Sequence, residues 1–220
     1  PLQTNCFVVH KEASKVCAVI DPGDYGAGVA REVRASGCAL TAIFLTHGHY
    51  DHTGGVEELR EFYPDVPVYI NCRDQHADSK MWQLCPTIPN TKSYDEGDVL
   101  TVGSLKIEVL ATPGHSGGSV TLKCENCLFT GDTLFAGSMG RTDLYGGDNA
   151  KMAASLKRLG EIDGYYVVLP GHGTASNLED ERRANPFIKK AMAGMNVRSI
   201  ASESKRDSVR FLSIIGLLIR

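Results

Sequence analysis

"THGHYDHTGG" (residues 46–55) places His47, His49, Asp51 and His52 within six residues. The chain has seven histidines, and three of them fall in this one stretch. A solitary surface histidine is a solvated side chain. Three imidazoles and a carboxylate at alternate and adjacent positions are a different matter: they form a set of nitrogen and oxygen donors of the kind that holds zinc, iron or manganese. The stretch is entered from "TAIFLT" (41–46), which reads as a buried strand, and left through "GGVEELREFYP" (54–64), which reads as a helix. The donors therefore occupy the turn between a strand and a helix.

Working outward, the same pattern recurs. His115 lies in "TPGHSGGS" (112–119) just past the strand-like "LKIEVLA", and Asp132 lies in "FTGDT" (129–133) just past "CLF". His172 lies in "LPGHG" (169–173) just past "YYVV". Four strands thus each deliver His or Asp into a glycine-containing loop beyond their carboxyl ends, where glycine lets backbones crowd together. Convergence of the four loops on one point is expected. The five His and two Asp exceed the four ligands of a closed structural zinc site and suit two ions with a shared carboxylate. Two ions about 3.5–4 Å apart can hold a hydroxide and polarise a carbonyl together. His10 and His76 stand outside these loops and read as ordinary surface or core residues.

The rest of the chain supplies the scaffold. "NCFVVH" and "KVCAVID" read as strands, "AGVAREVRASG" as a short helix closed by Gly37, and "VPVYIN" as a strand followed by a helix at 72–80. From 98 to 130 the pattern changes to consecutive strands, "DVLTV", "SLKIEVLAT", "SVTLKC" and "CLFTG". A glycine-rich loop (136–148), a helix from about Asn149, the strand "YYVVLP" and a final helix over 178–193 follow. No repeat or low-complexity linker interrupts the order, which fits two sheets packed face to face with helices outside in one domain, residues 1–196. Residues 197–220 are unassigned.

Composition removes several classes. Lys plus Arg is 23 against 26 Asp plus Glu, a formal charge of −3, which argues against a general nucleic-acid binder. The longest apolar run, "FLSIIGLLI" (211–219), is about half of the roughly 20 residues of a membrane-spanning helix, so no membrane association is expected. Seven scattered cysteines and no signal-like opening stretch point to a reducing cytoplasm. Cys124-Glu-Asn-Cys127 lacks a second CxxC and joins two strand-like runs, so it reads as a hairpin turn. "GHSGG" (114–118) matches the G-x-S-x-G nucleophile elbow, but that motif needs a following helix and "SVTLKC" is strand-like. Ser116 therefore reads as a loop residue.

"THGHYDH", "TPGHSGGS", "FTGDTLF" and "PGHG", in this order, resemble the metallo-β-lactamase fold superfamily. They resemble its glyoxalase II branch, the hydroxyacylglutathione hydrolases, more closely, and the compact bacterial type in particular, since only "LEDERRANPFIKKAM" and a short tail follow His172. The resemblance implies the α+β class, an αββα sandwich of two mixed β-sheets with flanking helices, and metals at one sheet edge. It implies that His47, His49 and His115 hold one divalent ion, that Asp51, His52 and His172 hold a second, and that Asp132 bridges them. Zinc is the expected metal, with iron and manganese compatible with the same donors. The implied reaction is cleavage of a thioester such as S-D-lactoylglutathione by a metal-bound hydroxide, with Asp51 also holding the nucleophile's proton. The expected partner is a small, possibly glutathione-linked thioester.

Arg141 in "GSMGRTD" (137–143) stands where many glyoxalases keep a basic residue for the thiol carrier, and its other reading is an ion pair with Asp143. Asp21 in "IDPG" (20–23) matches the family too, either as an orienting partner for a ligand histidine or as a strand-ending turn. "GRTD" also occurs in the persulfide dioxygenase branch, so a mononuclear iron dioxygenase is an alternative, as is a hydrolase of another ester or lactone. His52 departs from the pattern of class B lactamases and sets antibiotic hydrolysis behind these.

Overall fold

Along β1 (Asn5–Lys11), β2 (Val16–Ile20) and β3 (Ala39–Phe44), apolar side chains are buried on both faces. Phe7, Val9, Ala18, Ile20, Ala42 and Phe44 enter one core. Their neighbours Cys6, Val8, Cys17, Val19 and Ile43 enter another. Strands point successive side chains to opposite faces, so this sheet must be covered on both sides. In the computed structural model, which describes residues 3–11, 14–75, 86–197 and 213–219, it is.

Its outer face carries α1 (Gly26–Ala35), which follows β2, and α3 (Val56–Phe62), which follows the single turn α2 (Tyr50–Thr53). Val29, Ala30 and Val33 of α1 and Val56 and Leu59 of α3 fill the outer core. β4 (Val68–Asn71) and β5 (Thr91–Tyr94) extend the sheet beyond β3. At the other edge β14 (Ser213–Ile219) lies parallel to β1, Asn5 opposite Ser213 through Lys11 opposite Ile219. Part of the segment that the sequence left unassigned is thus a strand.

The second sheet is built from β6 (Val99–Val102), β7 (Leu105–Ala111), β8 (Val120–Cys124) and β9 (Cys127–Gly131), joined further on by β12 (Val167–Pro170) and β13 (Ser176–Asn177). A small hairpin of β10 (Leu134–Phe135) and β11 (Ser138–Met139) stands apart from it. Leu105, Ile107, Val109, Leu122, Phe129 and Leu169 face the first sheet across the central core. Leu128 and Val168 face outward onto α4 (Asn149–Gly160), α5 (Leu178–Ala184) and α6 (Pro186–Met192).

The strand orders are β14-β1-β2-β3-β4-β5 and β13-β12-β9-β8-β7-β6. In the first, only β1–β2 among neighbours is antiparallel; in the second, only β12–β9 is parallel. The molecule is the αββα sandwich of two mixed sheets that the sequence implied.

The final helix expected over 178–193 is two helices. Pro186 has no N–H to donate and opens α6, while Asn185 ends α5 and accepts from Phe187 N and Ile188 N. Of the helix expected at 72–80, Cys72–Asp74 form a 3₁₀ turn ended by Gln75, and residues 76–80, with His76, lie outside the described residues. The CxxC is a hairpin turn: Cys124 pairs with Cys127, and Glu125 adopts φ 49° between them.

Candidate metal centre

Topology brings the four loops together. β7 and β9 both run antiparallel to β8, and β12 runs parallel to β9, so all three end at the same edge of the second sheet. The end of β3 meets that edge from the first sheet, where Val120 N donates to Thr46 O at 2.9 Å. Gly171 N donates to Gly131 O at 2.8 Å, setting the His172 loop against the Asp132 loop. A Cβ at Gly171 would lie 2.4 Å from Asp132 Oδ1 and 2.6 Å from His52 Cε1, so only glycine fits there.

All seven predicted side chains converge. His47 Nε2 and His49 Nδ1 are 3.1 Å apart, and His115 Nε2 is 2.8 Å from the same His49 nitrogen. His52 Nε2 and His172 Nε2 are 3.3 Å apart, with Asp51 Oδ2 3.7 Å from the first and 3.2 Å from the second. Asp132 lies between the clusters, Oδ1 3.3 Å from His52 Nε2 and Oδ2 3.3 Å from His115 Nε2.

The outward ring nitrogens fix which atoms point inward. His115 Nδ1 lies 2.7 Å from the Arg141 carbonyl, and His172 Nδ1 lies 2.7 Å from the Gln3 carbonyl. A carbonyl only accepts, so each Nδ1 carries the proton and each Nε2 presents a lone pair. His52 Nδ1 likewise donates to Asp21 Oδ2 at 3.0 Å. Thr46 Oγ1 spends its proton on Asp21 Oδ2 at 2.7 Å, so His47 Nδ1, 3.2 Å away, donates to it. The Nε2 atoms of four histidines, Asp51 Oδ2 and the Asp132 carboxylate thus face one another as acceptors. Asp132 Oδ1 and His49 Nε2 are buried without a hydrogen-bond partner among the described residues. Acceptors crowded in this way require cations between them, and the donors fit divalent ions.

The electrostatics agree. Burial, with the Asp132 and Asp21 carboxylates outweighing it, leaves the His52 imidazole charged well above its usual range. His172 follows the same balance, burial opposed by Asp132 and Asp51, and is raised to about 10. Burial also opposes ionisation of Asp132, but His52, His172 and His115 hold it well below the usual carboxylate range. The cluster demands positive charge, whether from protons or from metal.

Asp21 does orient a histidine, and with Thr46 N at 2.7 Å it also holds the loop before His47. Arg141 takes its other reading in this structure: Nε and Nη2 each lie 2.7 Å from an Asp143 oxygen. Ser116 Oγ donates to Asp74 Oδ2 at 2.6 Å, and no helix follows it, so it is not a nucleophile elbow. Asp74 and the Gln3 carbonyl escaped the sequence reading. A backbone carbonyl has no sequence signature, and "NCRDQ" has no pattern to set its one acid apart.

Fold and donor set are those of a metallo-hydrolase superfamily. The model of the metallo-beta-lactamase superfamily matches residues 1–172, and the chain belongs to that superfamily. It is 34% identical to the probable metallo-hydrolase YqgX of Bacillus subtilis, covering 86% of this chain and 93% of that protein. It is 38% identical to the hydroxyacylglutathione hydrolase of Gloeobacter violaceus, covering 82% of this chain and 68% of that one. Among solved structures, the B3 metallo-beta-lactamase BLEG-1 matches at TM-score 0.78 and 32% identity over 86% of this chain and 95% of its own. A di-iron-bound form of TTHA1623 matches at TM-score 0.73 and 36% identity over 85% and 96%. Among the described residues, no helix is long and apolar enough to cross a membrane.

Proposed function

We propose that the protein is a binuclear metallohydrolase that cleaves a small thioester, with a glutathione thioester such as S-D-lactoylglutathione as the leading substrate. The observation that carries this reading is Asp132, a carboxylate in contact with both donor clusters at once. His47, His49 and His115 would hold one ion, Asp51, His52 and His172 the other, with Asp132 shared. Divalent ions there supply a water nucleophile at neutral pH and an electrophile for the carbonyl oxygen.

The chain's own groups do the rest. Asp21, Thr46 and the Gln3 and Arg141 carbonyls hold four imidazoles with Nδ1 as donor, so that Nε2 of each ring is the atom turned toward an ion. Asp51 Oδ2, 3.3 Å from Thr4 Oγ1, is the atom suited to hold the nucleophile's proton. Arg141 would leave Asp143 to pair with a substrate carboxylate, an exchange that costs little because both side chains are more than half exposed. Zinc is the proposed metal, and likeness to a di-iron protein makes iron the first alternative. Likeness to BLEG-1 makes a β-lactam amide the second substrate class to assay.

Chelated protein should lose turnover of S-D-lactoylglutathione and regain it on loading with zinc or manganese, at close to two ions per chain. Thioesterase activity in metal-free protein would overturn the reading. One iron per chain, with oxygen consumed on glutathione persulfide, would replace it with the dioxygenase.

A further inference from the structure

Asp74 lies outside the donor set, at the end of the 3₁₀ turn that follows β4, yet its carboxylate is buried beneath the site. Oδ2 accepts from Gly48 N at 3.0 Å and from Ser116 Oγ at 2.6 Å, and Oδ1 accepts from Gly118 N at 2.8 Å. Gly48 is the residue between His47 and His49, and Ser116 directly follows His115. One carboxylate therefore ties together the two loops that carry the all-histidine cluster. Its hydrogen bonds reach none of Asp51, His52, Asp132 or His172.

The glycines show how close this tie is. A Cβ at Gly48 would lie 2.7 Å from the Asp74 carbonyl oxygen, and a Cβ at Gly118 would lie 2.6 Å from Asp74 Cγ. Both loops can close on Asp74 only because these positions carry no side chain. Asp74 is itself fixed from behind. Asn71 caps the turn by accepting from Arg73 N, and its amide donates to Tyr94 O at 3.2 Å and Asp95 Oδ1 at 3.1 Å. With N–H and O–H donors on both oxygens, Asp74 is occupied as an acceptor and is not a metal ligand.

We propose that Asp74 is a positioning residue that sets the spacing of His47, His49 and His115, and so the affinity of one of the two metal sites but not the other. The inference rests on the binuclear reading above. Loss of Asp74 leaves Gly48 N, Gly118 N and Ser116 Oγ without their acceptor and frees the two loops to separate. Loss of an orienting partner in metal sites costs about 10–100-fold in affinity.

The test is a metal titration against a chromophoric chelator, with metal content measured separately, on the wild type and on Asp74→Ala, Asp74→Asn and Ser116→Ala. The wild type should bind two ions. Asp74→Ala should lose about 10–100-fold at one site and keep the other. Asp74→Asn should fall less, since its amide oxygen still accepts while its NH₂ opposes a donor. Ser116→Ala should fall least, at the same site. Glu161→Gln, which breaks the exposed Lys157–Glu161 pair at the end of α4, should change neither affinity. Equal weakening of both sites, or of neither, in the variants that fold would overturn the proposal while leaving the binuclear reading intact. A wild type that binds a single ion would instead overturn that reading first. Should Asp74→Ala fail to fold, Asp74→Asn and Ser116→Ala decide the question by the same criterion.

Discussion

The two donor clusters share Asp132 and little else. His47, His49 and His115 are all nitrogen and all but inaccessible, each 2% exposed or less. Burial, then the neighbouring imidazoles, pushes His47 well below the usual range and His49 down to about 3, so these rings stay neutral at any physiological pH. The second cluster contains a carboxylate, and the His172 side chain is 23% exposed. His52 and His172 are pulled up by Asp132, Asp21 and Asp51 and hold protons until something more positive displaces them. The first cluster is a closed seat with its lone pairs ready. The second is an open one in which an ion must compete with protons, and metal binding there is coupled to proton release.

The comparison can be broken or sharpened in four ways. The largest effect is expected from Asp132→Ala, which removes the group common to both clusters. Metal content should fall at both sites, and kcat/KM by roughly 1000-fold, about 4 kcal/mol of barrier. Retention of two tightly held ions would show that the clusters are independent.

Next, His172→Ala should leave one ion per chain and cut kcat about 100-fold, with less effect on KM. The same asymmetry should follow pH. Falling pH restores protons to His52 and His172, whose pKa values are raised, while His49 stays neutral down to about 3. Dialysis at pH 8, 7 and 6 should therefore strip one ion before the other, and simultaneous loss would contradict the contrast. The smallest effect is expected from Arg141→Ala. The carbonyl that holds His115 is retained, so metal content should not move, and only KM for glutathione thioesters should rise, by roughly 3–10-fold. An unchanged KM would leave Arg141 as the partner of Asp143 and nothing more.

The contrast also explains what the sequence could and could not disclose. The converging donors were legible because each is a His or Asp set in a glycine loop just past an apolar strand, a local signal repeated four times. The sandwich was legible in the order of elements, strands with interspersed helices, then a meander, then helix, strand and helix, which suits two packed sheets with helices outside. What holds the ligands was not. Asp74 acts through backbone N–H groups 26 and 44 residues away, and His172 is oriented by a carbonyl 169 residues away. Such contacts depend on how the strands are ordered, which no short window of sequence records. The last seven-residue strand was obscure for another reason, since a short apolar run carries no period that separates strand from helix.

The Gln3 carbonyl that orients His172, and the Asn5 amide that donates to Pro170 O and Gly173 O, join the first strand to the last ligand loop. That closure has a cost in time. His52 leaves the ribosome 120 residues before His172, a gap of roughly 6–24 s at about 5–20 residues per second. His115 and Asp132 are made within that interval, so the all-histidine cluster has its three side chains well before the second cluster, whose completion waits on His172 and on the chain's early residues that hold it.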